Sequence, residues 1–201
     1  MSKRKAELGV ISVASVNSPL SHGRYLHGTG EGHVTIARKV HSGRLSQDNW
    51  EQHSYQTRKL YDVLPAYGGL YDAYISQNRF YGSRSVARLA QLSAMYADLD
   101  YYNIPYLKGM APRAVMDLAF EQLQRAQIPR PSLVVATGRG LALVWRHEPV
   151  PRYALPRWKA CQDYIFDALR ELGADPSARD AARVLRLVGS RNSKSGTTVG
   201  E

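Results

Sequence analysis

The sequence predicts a fold of the α/β (α+β) class with a mixed sheet. Stretches with helical and with strand-like apolar spacing alternate along the chain. Two apolar runs separated only by Thr137-Gly-Arg-Gly140 have to fold back on each other as an antiparallel pair. The 201 residues, 44% of them apolar, are enough for a single sizeable core and suit one compact unit.

Residues 1–33 are rich in Gly, Ser and His and end in Gly28-Thr-Gly-Glu-Gly32, which reads as a loose or partly extended lead-in. Over residues 47–63 the positions Trp50, Tyr55, Leu60 and Val63 fit a helix that Pro65 ends. The organisation expected is therefore a partly helical N-terminal part, 1–66, ahead of a core over 67–201. Residues 68–80 alternate as a strand does, with Leu70, Tyr74 and Ser76 on one parity. Val86, Leu89 and Leu92 give residues 83–92 a helical spacing. Met95-Tyr-Ala-Asp-Leu-Asp-Tyr101 reads as the end of a strand that carries two carboxylates.

Pro112 opens a helix reaching about residue 127, at a position where its missing N–H costs nothing. Residues 132–136 form a buried strand, and 141–146 the strand that returns from the glycine turn. A helix over 156–172 places Trp158, Cys161, Ile165, Leu169 and Leu172 on one face and stops at Gly173. Residues 182–189 supply a last strand. If it continues past Gly189, Arg186, Ser190, Asn192 and Lys194 share one polar face; residues after Ser195 read as a solvated tail.

Charge narrows the function. Twenty-seven Lys and Arg against seventeen Asp and Glu give +10, spread along the chain, which suits a polyanionic partner such as nucleic acid. A lone cysteine, Cys161, excludes a disulfide framework or a multi-thiolate zinc site, and its place in an apolar helical stripe implies burial. The basic start and the apolar run over 9–14 do not make a signal peptide, because Ser12 interrupts the run and no small-residue cleavage site follows. No run approaches the length needed to span a bilayer, so a cytoplasmic protein with no membrane partner is expected.

Asp98 and Asp100 flank Leu99. On a strand both carboxylates face one side, roughly 7 Å apart at the backbone. That spacing can bracket one or two Mg²⁺ or Mn²⁺ ions for in-line phosphoryl transfer. Two acids at an apolar strand end are costly to desolvate unless a cation meets them, although a strand end open to water would also accommodate them. Asp175 and Asp180, ahead of the strand Ala182-Arg-Val-Leu-Arg-Leu-Val188, are both open as a third carboxylate. Thr137-Gly138-Arg139-Gly140 suits a phosphate, with backbone N–H groups brought close and Arg139 as a charged partner. Arg183, Arg186, Ser190, Asn192 and Lys194 mix cations with hydroxyl and amide donors, which suits phosphate or sugar. Tyr71, Tyr74, Tyr101, Tyr102 and Tyr106 are candidates for stacking on bases or sugar.

In this order the motifs resemble the archaeo-eukaryotic primase superfamily. That family carries an Asp-x-Asp/Glu strand, a Ser-Gly-x-Gly-x-His strand, and an Asp followed by a strand of the type Arg-x-x-Arg-Leu-Pro-Gly-Ser. The counterparts here are Asp98-Leu-Asp100, Thr137-Gly-Arg-Gly-Leu-Ala142, and Asp175 with Arg183-x-x-Arg186-Leu-Val-Gly-Ser190. The resemblance covers about residues 70–196 and is strongest to replication primases of plasmids and integrative mobile elements. It implies a primase core with an RRM-like half and two-metal, template-directed nucleotidyl transfer that makes primers on single-stranded DNA. It implies two Mg²⁺ or Mn²⁺ ions and NTP or dNTP substrates.

By the same resemblance Asp98, Asp100 and Asp175 are the catalytic metal ligands, with Asp180 orienting a neighbour. Thr137, Gly138, Arg139, Arg183, Arg186 and Lys194 hold the nucleotide phosphates. Two departures stand out: Ala142 occupies the family's histidine position, and Val188 its proline position. The sequence ends in a polar run, so a longer replication protein with a helical or helicase part, and a replicative helicase among its partners, is expected. Ala142 keeps open a non-catalytic origin- or single-strand-binding module on the same fold. A rolling-circle nuclease is disfavoured, because His22, His27, His33, His41, His53 and His147 supply no His-apolar-His pair.

Overall fold

The computed structural model describes residues 16–41 and 48–200. The apolar run over 9–14 and the first part of the expected lead-in lie outside the described residues. From Ser18 onward the lead-in is not loose. Helix α1 (Pro19–His27) starts on a capping box between Ser18 and Ser21, with Pro19 in its first turn. Gly23 lets it sit directly on Leu64, where any side chain would collide with the Leu64 methyls.

Strands β1 (His33–His41) and β2 (Asp48–Gln56) pair antiparallel over their whole length. The helix expected over 47–63 is thus strand in its first half, and only α2 (Thr57–Val63), followed by a 3₁₀ turn Leu64–Tyr67, is helical. Pairing with β1, whose Val34 and Ile36 are fully buried, decides for the strand. The chain continues through β3 (Ala73–Ser76) and β4 (Arg79–Phe80). The helix expected over 83–92 reduces to one 3₁₀ turn, Val86–Arg88, ahead of β5 (Leu89–Leu99). Strand β5 is buried on both faces and has a bulge between Leu92 and Ala94, so its run of apolar residues imitates a helical stripe.

The second half follows the sequence closely: α3 (Pro112–Arg125), β6 (Leu133–Ala136), β7 (Leu141–Pro151) and α4 (Leu155–Leu169). A 3₁₀ turn, Arg170–Leu172, extends α4 to Gly173, whose φ of 84° ends it. Cys161 is exposed on α4 instead of buried, since Trp158, Gln162, Ile165 and Leu169 form the inward face. Strand β8 spans only Val184–Arg186. Gly189 turns the chain at φ 82°, so the strand expected to run past it does not. Residues 196–200 are not a solvated tail either. Val199 is buried, its N–H donates to the Ser190 carbonyl (2.8 Å), and Gly200 bridges Ala136 at the sheet edge.

All strand ladders among the described residues are antiparallel, and the mixed character expected is confined to one parallel bridge, Tyr71–Arg191. The sheet forks. Strand β1 reaches β5, β7 and β6 through β4, but reaches β8 through β3. Past the fork, β5 keeps β7 on one side but has no strand on the other, and the backbone groups of that edge are satisfied one by one. Asn78 Oδ1 accepts from the N–H of Ser93 (2.8 Å), Trp158 Nε1 donates to the Ala94 carbonyl (2.9 Å), and the Gln162 amide pairs with both N–H and C=O of Tyr96. Finally the segment 173–175 lies against the strand end. Helices α3 and α4 pack one face of β5 and β7 through Leu99, Leu143, Val115, Leu123 and Leu169, while a second core joins the other face to α1 and α2. Among the described residues no helix is long and apolar enough to cross a membrane.

Candidate active site

A cleft of about 440 Å³ opens at the fork, lined by residues from both halves of the sheet. The volume is within the range of ordinary small-ligand sites. Asp98 is the second-last residue of β5, and Asp100 follows the strand end at the start of the 3₁₀ turn Tyr101–Asn103. Both carboxylates line the cleft, as the two-residue spacing predicts. Asp175 arrives from a separate stretch. Its N–H donates to the Asp98 carbonyl (2.8 Å), and the Asp100 N–H donates to the carbonyl of Gly173 (2.8 Å). This short antiparallel pairing, continued by the Leu99–Ala174 bridge, fixes Asp175 beside the pair. Gly173 is needed there twice over, for its positive φ and because a Cβ would stand 3.1 Å from the Asp100 carbonyl.

Arg183 holds the acids together. Its Nη2 lies 2.6 Å from Asp175 Oδ2 and 3.7 Å from Asp98 Oδ2, and its Nη1 lies 3.1 Å from Ser177 Oγ. Burial and then the charge of Asp100 push the Asp98 carboxyl up to about 6, with Arg183 only partly offsetting them. Asp100 is raised by burial and by Asp175. Burial also pushes Asp175 up, but hydrogen bonds from the Ser177 hydroxyl and N–H, with the charge of Arg183, together hold it below its ordinary value.

The acids therefore converge without forming a ready cage: among the described residues no three acidic, histidine or cysteine side chains are arranged to hold a metal ion. It is Arg183 that lies between Asp98 and Asp175. The donor set nonetheless fits a hard divalent cation. It is all carboxylate oxygen, and Asp98 and Asp100 repel each other in a partly desolvated place that a cation would relieve.

The Thr137–Gly140 turn closes one end of the cleft. Thr137 Oγ1 accepts from the Gly140 N–H (3.1 Å), and Arg139 lies on the Tyr102 ring, 4.0 Å from its centroid. Thr137, Arg139, Arg186, Asn192 and Lys194 all line the cleft. Three expected residues do not. Asp175 is turned onto Arg183 and Ser177 behind the lining. Gly138, at φ 93°, faces the segment 192–197, where Ser195 and Thr197 fill the room a side chain would need. Ser190 is fully buried and gives its hydroxyl to the Leu187 carbonyl (2.6 Å). The parity that grouped Ser190 with Arg186 fails because Gly189 breaks the strand. Asn192 Nδ2 instead donates to the Thr137 carbonyl (2.7 Å), which ties the last segment to the glycine turn.

Asp180 lines the cleft, accepts from the Ala182 N–H (2.9 Å) and receives the Tyr96 hydroxyl at its carbonyl (2.5 Å). Of the tyrosines, Tyr74 and Tyr102 line the cleft, whereas Tyr71, exposed beside Arg191, and Tyr106, bonded to the Glu171 carbonyl, are not among its lining residues, and Tyr101 is buried. Four residues that contribute were missed. Trp50, Gln52 and Arg84 line the far wall, and Asp72 accepts from Arg186 Nη1 at 2.8 Å. The two-residue alternation of β2 was the available signal for Trp50 and Gln52. Nothing local marks Asp72, which is buried at a φ of 50°.

No family model matches the chain. A curated protein named "Replication protein", from Clostridium perfringens, is 35% identical over 175 residues, which is 87% of this chain and 40% of that protein. The chain thus spans well under half the length of this relative. Among solved structures, the AEP domain of the cyanophage S-2L primase-polymerase (PrimPol) superposes with a TM-score of 0.58 at 18% identity, covering 90% of this chain and 86% of that one.

Proposed function

We propose, from the likeness of its fold to the AEP domain of a primase-polymerase, that the chain is a member of the archaeo-eukaryotic primase–polymerase superfamily and that the cleft at the fork makes primers on single-stranded DNA by template-directed nucleotidyl transfer. The observation that carries this reading is the convergence of Asp98, Asp100 and Asp175 from two distant stretches beside Arg183. Asp98, Asp100 and Asp175 would hold two Mg²⁺ or Mn²⁺ ions, with Arg183 swinging from the acids toward the phosphates. When bound, these ions activate a 3′-hydroxyl and neutralise charge on the triphosphate and leaving pyrophosphate.

The remaining work falls to this chain's own groups. Arg139, held over the Tyr102 ring, and Lys194 face the place where an NTP or dNTP triphosphate lies. Arg186, fixed by Asp72, sets the floor between the phosphates and the far wall. Thr137 and Asn192 keep the glycine turn in register with the last segment. The setting proposed is replication of a plasmid or mobile element, with a replicative helicase among its partners.

The test is primer synthesis from labelled nucleotides on an oligonucleotide template with Mn²⁺. Product from the native chain that disappears in Asp98→Asn and Asp100→Asn supports the reading. A second reading, a non-catalytic single-strand- or origin-binding module, is favoured by Ala142 in the histidine position and by Arg183 lying between the acids. No product from the native chain or from Ala142→His would leave only that second reading.

A further inference from the structure

The far wall of the cleft belongs to no part of the metal or triphosphate assignment. Across the sheet, Gln52, Ala37, Tyr74 and Arg186 form one row, with Lys39 opposite Trp50 in the next row on the same face. Ala37 contributes only a methyl group, fully buried, so this part of the sheet is a trough. Its sides are Trp50 and Tyr74, with ring centroids 5.1 Å apart and planes inclined at 56°. Arg186 lies over the Tyr74 ring, 4.9 Å from its centroid, and Arg84 grips the Gln52 side-chain oxygen at 2.8 and 3.0 Å. Yet Trp50 is 46% exposed. A tryptophan placed only for packing would be buried; this one is left nearly half exposed and lines the cleft, beside a cationic rim.

The geometry points to a nucleobase-stacking platform, Trp50 with Tyr74, that holds an unpaired base of the single-stranded template where the strand enters the cleft. The inference rests on the reading of the cleft as a primer-making site and gives it a template side. Aromatic faces on a basic sheet surface are how single-stranded nucleic acid is held without sequence selection. The template is favoured over the base of the incoming nucleotide by position. Of the groups facing the triphosphate, Arg139 stands on the glycine turn between β6 and β7, in the other half of the sheet, and the segment that carries Lys194 is tied to that turn through Asn192. Trp50 lies on β2, at the outer side of β1, where a polymer can run on past the rim.

The chain has three tryptophans, and Trp145 and Trp158 are buried, so fluorescence quenching by a stacked base reports on Trp50. The full chain, with chelator present so that no turnover occurs, is titrated with a single-stranded oligodeoxynucleotide, an abasic strand of equal length, and free dNTP. Quenching by the oligodeoxynucleotide alone is expected. Trp50→Ala is expected to weaken its binding about ten-fold, and Trp50→Phe to stay within about three-fold of the native chain. Equal quenching by the abasic strand, quenching by free nucleotide alone, or native affinity in Trp50→Ala would overturn the platform. Should Trp50→Ala fail to fold, judged by the emission of Trp145 and Trp158, the three titrations of the native chain still decide. Primer synthesis is scored separately, so an inactive chain that shows the quenching pattern counts against catalysis and not against the platform.

Discussion

Ala142 lies directly across the β5–β7 ladder from Asp98 and shares its face of the sheet. The side chain at 142 is therefore the nearest cross-strand neighbour of the first acid, at the spacing where paired side chains interact. A methyl group there offers nothing to a triphosphate, whereas an imidazole would supply a donor at the mouth of the cleft. Ala142→His is expected to lower the KM for nucleotide several-fold, with roughly ten-fold gained in kcat/KM, about 1.4 kcal/mol. Steady-state primer synthesis over a range of nucleotide concentrations measures it, and an unchanged KM would show that Arg139 and Lys194 already satisfy the phosphates.

Asp98→Asn should separate stability from activity. The carboxyl is raised to about 6, above its unfolded value, by burial and then by Asp100. The sign follows: the folded state binds the extra proton, so this group's contribution is fully present below the unfolded value and is lost as pH rises through 6. Above that pH the ionised acid costs the fold on the order of 1–3 kcal/mol, which an amide would recover. In chelator at pH 8 the variant is expected to melt a few degrees higher than the native chain while making no primer. A lower melting temperature would mean that Asp98 stabilises Arg183 more than it repels Asp100.

The parts of this site legible in the sequence are those set within a few residues. Asp98 and Asp100 share the cleft because a strand repeats every two residues, and Thr137–Gly140 turns because two apolar runs must pair across it. What was illegible depends on distant partners. The segment 173–175 is docked on the end of β5 by backbone bonds that carry no side-chain signature. Strand β2 scans as helix until β1 is beside it, and Ser190 was grouped with Arg186 by a parity that the turn at Gly189 cancels. Pairing sites of this kind are written in two places at once, and one sequence shows each place separately.

Stability should fall in mild acid because of two buried histidines. Burial lowers His22 to about 4, and burial with the charge of Arg79 lowers His27 to about 3. His22 Nδ1 accepts the Val188 N–H (3.1 Å), so its proton sits on Nε2, and adding a second would set two donors against each other. A base lowered on folding gives stability that is complete above its unfolded value near 6.5 and is lost as pH falls, down to about 4 for His22 and about 3 for His27. The loss is on the order of 3–5 kcal/mol for each. Asp98 has the opposite sign in part of this window, so the diagnostic is a difference: urea midpoints of the native chain and His22→Gln at pH 7.5, 6 and 5. The gap between them is expected to shrink as pH falls; a constant gap would refute the assignment.

Gln162 is the test of how the fork is closed. It is buried on α4, and its amide serves both the N–H and the C=O of Tyr96 at a point where β5 has no strand on the side away from β7. Replacing it with Leu keeps the volume and leaves two backbone groups without partners, which costs about 1–3 kcal/mol for each. Glu distinguishes this account from simple packing. Ionised, it only accepts and brings a charge into the core; protonated, it can accept and donate as the amide does. Gln162→Leu is therefore expected to be destabilised equally at pH 5 and pH 8 relative to the native chain, while Gln162→Glu recovers a large part of its deficit at pH 5. Because Tyr96 lies two residues before Asp98 and its hydroxyl reaches the Asp180 carbonyl, primer synthesis should track the same pH rescue. Equal deficits for Glu at both pH values would mean that the strand edge is held by apolar packing against Trp158 and not by the amide.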